Sequence, residues 1–242
     1  MTGRSTSADA PGPAPAVAVV LPVLDEEARL GRRLAELVGR DWVREIVVVD
    51  GGSHDRTVEI AAAVPEVRVL VAARGRGPQM NAGARATGAE VVLFLHADVQ
   101  LPADAGRWIA TALAAPDVVA GAFRVRTLAD AGRNWLGPVL RFSDLRSRWT
   151  RFPYGDQAVF VRRAAFEAVG GFPDQPLMED IELSRRLWTV GRIVTVPADV
   201  RVSARRHLQR PIRTLVTQRL FPTMYRLGVS PETLARLYGR SR

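Results

Sequence analysis

Several stretches of this chain put acids, a histidine or arginines where an apolar run stops. In FLHADVQLP, residues 94–102, His96 and Asp98 end the run Val91–Leu95. Such an ending either turns the chain, with Asp98 accepting backbone N–H groups, or opens onto a ligand at the carboxyl end of a strand. Asp50 closes VREIVVVD ahead of Gly51-Gly52, which allow a tight turn, and Ser53 or Asp55 can cap the next helix. A carboxylate there serves its own turn or bonds a ribose or base edge in the crevice. ARGRGPQMNAGARATG, residues 73–88, spaces Arg74 and Arg76 with glycines and sets Gln79 and Asn81 beside a helix start, an arrangement suited to pyrophosphate. PLMEDIELSRRL, residues 176–187, places Glu179 and Asp180 at a helix start, where the helix dipole alone favours acids. In FPYGDQAVFVRR, Asp156 enters a strand at a point that can face the same crevice.

Other chemistries lose their support. There is no G-x-G-x-x-G after the first strand and no P-loop lysine, which argues against dehydrogenases and NTPases. His54, His96 and His207 lack zinc-ligand spacing, and the hydroxyls, histidines and acids form no Ser-His-Asp order.

The elements that must position these groups follow from periodicity. Strands are predicted at 16–21, 45–49, 67–71 and 91–95, alternating with helices at 25–38, 55–63, 79–86 and 102–114. Four such repeats imply parallel strands, right-handed crossovers and helices on both faces. After Pro116 the pattern changes. Strands at 118–125 and 157–161 flank an insert holding Trp135, Leu136, Leu140, Leu145 and Trp149, then a helix at 180–190, a strand at 192–196 and a mainly helical remainder. The expected fold is α/β, Rossmann-like, with a mixed, mostly parallel sheet. Residues 1–15 read as a disordered leader rich in Ala, Pro and Ser, 16–200 as the domain, and 201–242 as a basic, mainly helical extension packed on it.

The 242 residues, 47% of them hydrophobic, suffice for one large core. The absence of cysteine excludes disulfides, thiolate metal sites and cysteine nucleophiles. No apolar run approaches the ~20 residues of a spanning helix, and the N-terminal stretch has no signal-peptide core. The net charge of +9 lies in residues 201–242, which hold ten Arg against Glu232 alone. Interleaved with Leu208, Ile212, Leu215, Val216 and Leu220, these arginines read either as a solvated helical cap or as a basic surface for lipid phosphate.

Taken in order, VVLPVLDEE, VVVDGGSHDRT, RGRGPQMNAGA, LFLHADV, GDQAVFVRRAAFEAVGGF and LMEDIELSRRL resemble family 2 glycosyltransferases of GT-A fold. Their His-Ala-Asp and Gln-Met-Asn-Ala-Gly forms resemble a small soluble subgroup, selenodomain-associated transferase 2. The resemblance implies a nucleotide-sugar donor, UDP-linked, cradled by Pro22, Leu24, Glu26, Asp50, Arg76, Gln79, Asn81, His96, Asp98 and Asp156. It implies Mg²⁺ or Mn²⁺ held by Asp98, the second carboxylate of the family's Asp-x-Asp. His96 stands in place of the first acid, as a ligand or as a ribose or phosphate contact. Asp180, paired with Glu179, corresponds to the general base of an inverting transfer. The processive Gln-x-x-Arg-Trp signature is absent, so transfer of a single sugar to a small or lipid-linked acceptor is expected. The expected location is the cytoplasm, with the basic C-terminal face as a candidate peripheral contact at the inner face of the membrane.

Two other functions share parts of this pattern. A sugar-phosphate nucleotidyltransferase requires a Gly-rich loop after the first strand, where this chain has LPVLDEEARL. A non-enzymatic phosphate- or nucleic-acid-binding module fits the charge, but no nucleic-acid reader motif is present, so nucleic acid is not an expected partner.

Overall fold

This computed structural model describes residues 15–128, 144, 147, 152–203 and 220–239. The first half runs β1 (Val17–Val23), α1 (Glu27–Leu37), β2 (Val43–Asp50), α2 (Thr57–Ala62), β3 (Val67–Val71), α3 (Arg76–Arg85) and β4 (Val91–Phe94). The second half runs β5 (Val99–Gln100), α4 (Ala105–Leu113), β6 (Val118–Leu128), a 3₁₀ turn (Gly155–Gln157), β7 (Phe160–Arg162), α5 (Arg163–Ala168), α6 (Glu179–Leu187) and β8 (Arg192–Ser203). It closes with α7 (220–226) and α8 (Pro231–Tyr238). The insert with Trp135 and Trp149, the leader up to residue 14, and His207 lie outside the described residues.

Eight strands form one sheet in the order β3-β2-β1-β4-β7-β6-β8-β5. β1 pairs in parallel with β2 and β4, β2 with β3, and β6 with β8. β7 is antiparallel to both its neighbours, and β5 is antiparallel to β8. The fold is thus the mixed, mostly parallel α/β sheet that the repeats imply.

The apolar runs are continuous because both sheet faces are covered. Val17, Val19, Leu21 and Val23 of β1 pack with Leu30 and Leu34 of α1 and Ile109 of α4. Val20, Val47, Val49, Val92 and Phe94 pack on the other face with Met80, Phe166, Leu183 and Leu187. Phe94, Phe166 and Phe172 meet there with centroids 4.9–5.6 Å apart.

Four elements differ from the periodicity. Residues 99–100, expected to lead directly into a helix at Pro102, form β5 against Val202 and Arg201, so α4 starts at Ala105. Gln157, expected in a strand, is buried on the 3₁₀ turn, where its amide donates to the Phe123 carbonyl at 3.0 Å. That turn delays β7 to Phe160. β8 runs past residue 200 to Ser203 because it pairs with β6 through a register shift and then with β5. Finally, α3 begins at Arg76, three residues early, which brings that arginine into its first turn.

The α3 helix lies flat on the sheet at Gly83. A Cβ there would meet Val20 Cγ1 at 2.3 Å and Val49 Cγ2 at 3.0 Å. Gly83→Ala should therefore destabilise by about 1–3 kcal/mol through overpacking, lowering Tm by roughly 2–10 °C. A melt showing no loss would contradict this close contact.

Candidate active site

The strand order reverses at β1, with β2 on one side and β4 on the other, and the crevice lies beyond their carboxyl ends. Beyond β1, Pro22 is buried while Leu24 and Glu26 are partly exposed, and the Glu26 carboxylate pairs with Arg29 at 2.7 Å. Asp25 takes a left-handed φ of 52°. It is held by reciprocal bonds to the loop after β2. The Asp25 N–H donates to Ser53 Oγ (3.0 Å), and the His54 N–H donates to Asp25 Oδ1 (2.8 Å). Likewise the Glu27 N–H donates to Asp55, and the Arg56 N–H donates to Glu27. Asp50 is buried, and its carboxylate accepts from Gly52 N–H (2.8 Å), Ser53 N–H (3.0 Å) and the Ser53 hydroxyl. In this structure Asp50 shapes the turn that forms the crevice wall.

Two amides fasten α3 to that wall. Gln79 Nε2, fully inside the protein, donates to the carbonyls of Val23 and Val49, both at 2.8 Å. Asn81 exchanges two bonds with the Phe172 backbone, at 2.8 and 2.9 Å. Both residues thus act on the frame of the site, with their amides engaged by backbone. Arg76 points across to α6, with Nη1 3.8 Å from Glu179 Oε1, and its side chain still reaches solvent. Desolvation opposes its charge, but Glu179, Asp180, Tyr238 and Asp98 outweigh it and hold the guanidinium pKa above its usual value.

The acids of α6 follow Met178, which adopts a left-handed φ of 65°. Glu179 is buried, while Asp180 is partly exposed with Oδ2 accepting the Gly155 N–H at 2.9 Å. Its Oδ1 accepts the Ile181 N–H at 2.8 Å. His96, Gly155, Glu179 and Asp180 line one small cleft floored by Phe94, Met80 and Phe172. A Cβ on Gly155 would lie 2.7 Å from His96 Nε2, so only glycine lets the imidazole and the carboxylate anchor share this space. Asp98 is partly exposed at the crevice, and Asp156 lies on the same 3₁₀ turn as Gly155. The C-terminal helices reach this region too: Tyr225 donates to Glu182 at 3.3 Å, and the Arg226 guanidinium sits 5.1 Å over Phe152.

Residues 18–170 match the model of glycosyl transferase family 2. The chain belongs to that family. It is 26% identical over 225 residues to a beta-monoglucosyldiacylglycerol synthase of Synechocystis sp., covering 77% of this chain and 44% of that protein. The chain spans about half the length of the curated relatives it matches. Among solved structures, a mannosyltransferase from Pyrobaculum calidifontis in complex with GDP-Man and Mn²⁺ aligns at a TM-score of 0.65 and 23% identity, over 92% of this chain and 67% of that one. Glucosyl-3-phosphoglycerate synthase from Mycobacterium tuberculosis, with Mn²⁺, UDP and phosphoglyceric acid, aligns at 0.55 and 20%, over 84% and 78%. These likenesses identify the sheet as that of the GT-A glycosyltransferases.

In this family 2 chain, no three His, Asp or Glu side chains among the described residues converge as a metal cage. His96 and Asp98, both partly exposed in the segment between β4 and β5, offer at most a pair of donors. One or two protein ligands completed by substrate phosphates and water suit Mg²⁺. The sequence pointed to the acids, to His96 and to Arg76. It did not point to Gly155, whose N–H reaches an acid 25 positions away, or to Ser53, Asp55 and Asp25 as the loop latch. A glycine before an Asp-Gln pair carries no local signal of such a partner.

Burial first, and then the neighbouring Asp180, push Glu179 up from 4.5 to about 7, with Arg76 opposing. The folded state therefore holds this proton more tightly than the unfolded chain. Its contribution to stability is complete below 4.5 and is lost as pH rises through about 7. Glu179→Gln should raise Tm at pH 8 by several degrees, about 2–4 °C for each kcal/mol of relieved desolvation, and by much less at pH 5. Equal shifts at both pH values would remove Glu179 as the source.

Proposed function

We propose that this chain is a metal-assisted, inverting glycosyltransferase moving one sugar from a nucleotide-sugar, UDP-linked, to a hydroxyl of a small or lipid-linked acceptor. The carrying observation is Asp180 at the first turn of α6, bonded to Gly155 N–H at 2.9 Å, in one cleft with His96 and beside the Arg76–Glu179 contact. Asp180 takes the acceptor hydroxyl proton as that oxygen attacks the anomeric carbon. The bond from that carbon to the diphosphate oxygen breaks on the opposite face, so the configuration inverts. Each Asp180 oxygen accepts one backbone bond, which fixes the carboxylate plane and leaves further lone pairs for the incoming proton.

Arg76 stabilises the charge that develops on the departing nucleoside diphosphate. Asp98 and His96 would hold Mg²⁺ or Mn²⁺, which when bound neutralises that leaving group. The latched loops after β1 and β2, with Asp50 and Pro22 to Glu26, frame the base and ribose end. Asp156 faces the sugar from the 3₁₀ turn.

The acceptor side draws support from the C-terminal helices. Leu220, Leu227 and Leu237 are exposed among the arginines of 201–242, a combination suited to a lipid-linked acceptor and a peripheral membrane contact. Among the described residues no helix is long and apolar enough to cross a membrane. The Synechocystis relative, by its name, makes a glucosylated diacylglycerol.

Thermal shifts with UDP, GDP, dTDP and CDP, each with and without Mn²⁺, test the donor. The expected result is a UDP-selective shift that needs the metal. Asp180→Asn should lower turnover by at least 10²-fold while leaving the UDP shift intact. Full activity in that variant would remove Asp180 as the base, and no shift with any nucleotide would sink the donor assignment.

A further inference from the structure

A second cleft, of about 470 Å³, opens on the opposite face of the sheet from the crevice. Its apolar floor, Leu37, Leu95 and Leu101, packs with the α1 and α4 core, whereas the crevice floor packs with α3 and α6. Arg33, Arg40, Arg126 and Arg201 line it, against the acids Glu36 and Asp199. Glu36 is already engaged by Arg32, Arg33 and Gln100. Arg126 and Arg201 are exposed and stand directly opposite each other in the β6–β8 ladder, which places two like charges side by side with Asp199 near them on the same cleft.

The buried donors supply the second observation. Arg33 is only 7% exposed, yet its Nε–H has no hydrogen-bond partner among the described residues. The indole N–H of Trp42, on the same wall, is likewise buried and unpartnered. Guanidinium and indole groups donate and cannot accept, so a wall built from them selects a ligand rich in acceptor oxygens. Arginine forks match phosphate oxygens in particular. The cleft volume falls within the range of small-molecule sites and exceeds what a bare phosphate fills.

We infer that this cleft binds a phosphate-bearing ligand, separately from the donor crevice. Arg126 and Arg201 meet the phosphate at the mouth, with the side chains of Arg33 and Trp42 in the wall behind them. A free phosphorylated molecule and a phospholipid headgroup offer the same chemistry.

Isothermal titration of the full chain with inorganic phosphate, at ionic strength held constant with chloride, tests the site. The Arg126→Gln/Arg201→Gln pair should weaken binding at least tenfold, and Arg76→Gln in the crevice should leave it unchanged. Both substituted residues of the pair are exposed, so the fold does not depend on them. Absence of binding in the unmodified chain, unchanged affinity in the pair variant, or a loss confined to Arg76→Gln would overturn the inference. Sedimentation with phosphatidylglycerol vesicles separates the two sources. Co-sedimentation lost in the pair variant identifies a headgroup, and phosphate binding without co-sedimentation identifies a free molecule.

Discussion

One buried amide ties the first half of the site together. Gln79 Nε2 donates to the carbonyls that end β1 and β2, so α3 cannot shift without breaking bonds to both strands. Removing a buried donor of this kind typically costs about 1–3 kcal/mol for each group left unsatisfied. The contact also explains Gly51, whose hypothetical Cβ would lie 3.0 Å from the Gln79 amide. Everything in the crevice that depends on α3 inherits this register, including the first-turn position of Arg76.

The second half is joined to that frame at a few points far apart in sequence. Asn81 on α3 grips the Phe172 backbone, 91 positions away, where a Cβ on Gly171 would clash with its Oδ1 at 2.6 Å. Gly155 on the 3₁₀ turn holds Asp180 on α6. Between them these contacts aim the start of α6 at Arg76 while the three-phenylalanine cluster fills the space beneath. The site is thus assembled by backbone-to-side-chain bonds, with the ion pair as a consequence of the assembly. A half-exposed contact at 3.8 Å is too weak to organise the helix by itself.

Much of this was legible in the sequence, and the remainder has identifiable physical reasons. Strands buried on both faces announce themselves as uniform apolar runs, so β1 to β4 stand out. β5 does not, because two residues carry no period and their partner in β8 is about a hundred positions away. The residue types of the crevice were legible too, since Asp50 closes a strand and Gln79 and Asn81 stand in the motif that opens the helix after β3. Their partners were not. An Asp-Gly-Gly-Ser turn is compatible with a carboxylate aimed at ligand or at its own N–H groups, and only three-dimensional packing shows that Asp50 accepts from Gly52 and Ser53. The same holds for amides, whose type predicts a hydrogen bond but not its address.

Asp98 shows how the two faces of the sheet meet in one charge. It lies in the segment joining β4 to β5, and its field reaches Arg76 in the crevice and Arg33 on α1 behind it. Leu95 and Gln100 of the same segment line the second cleft, and His96 lines the first. A strand end buried on both sides cannot hold an isolated carboxylate without help. Here Asp98 is partly exposed and has an arginine within its field on each face. Glu179 is the contrasting case. It is more deeply buried, next to another acid, with one half-exposed arginine as its counter-charge, and so its proton is held to about pH 7. Adjacent acids on one helix start thus meet different surroundings: Asp180 is anchored by the Gly155 and Ile181 N–H groups at the crevice edge, and Glu179 is sealed beneath it.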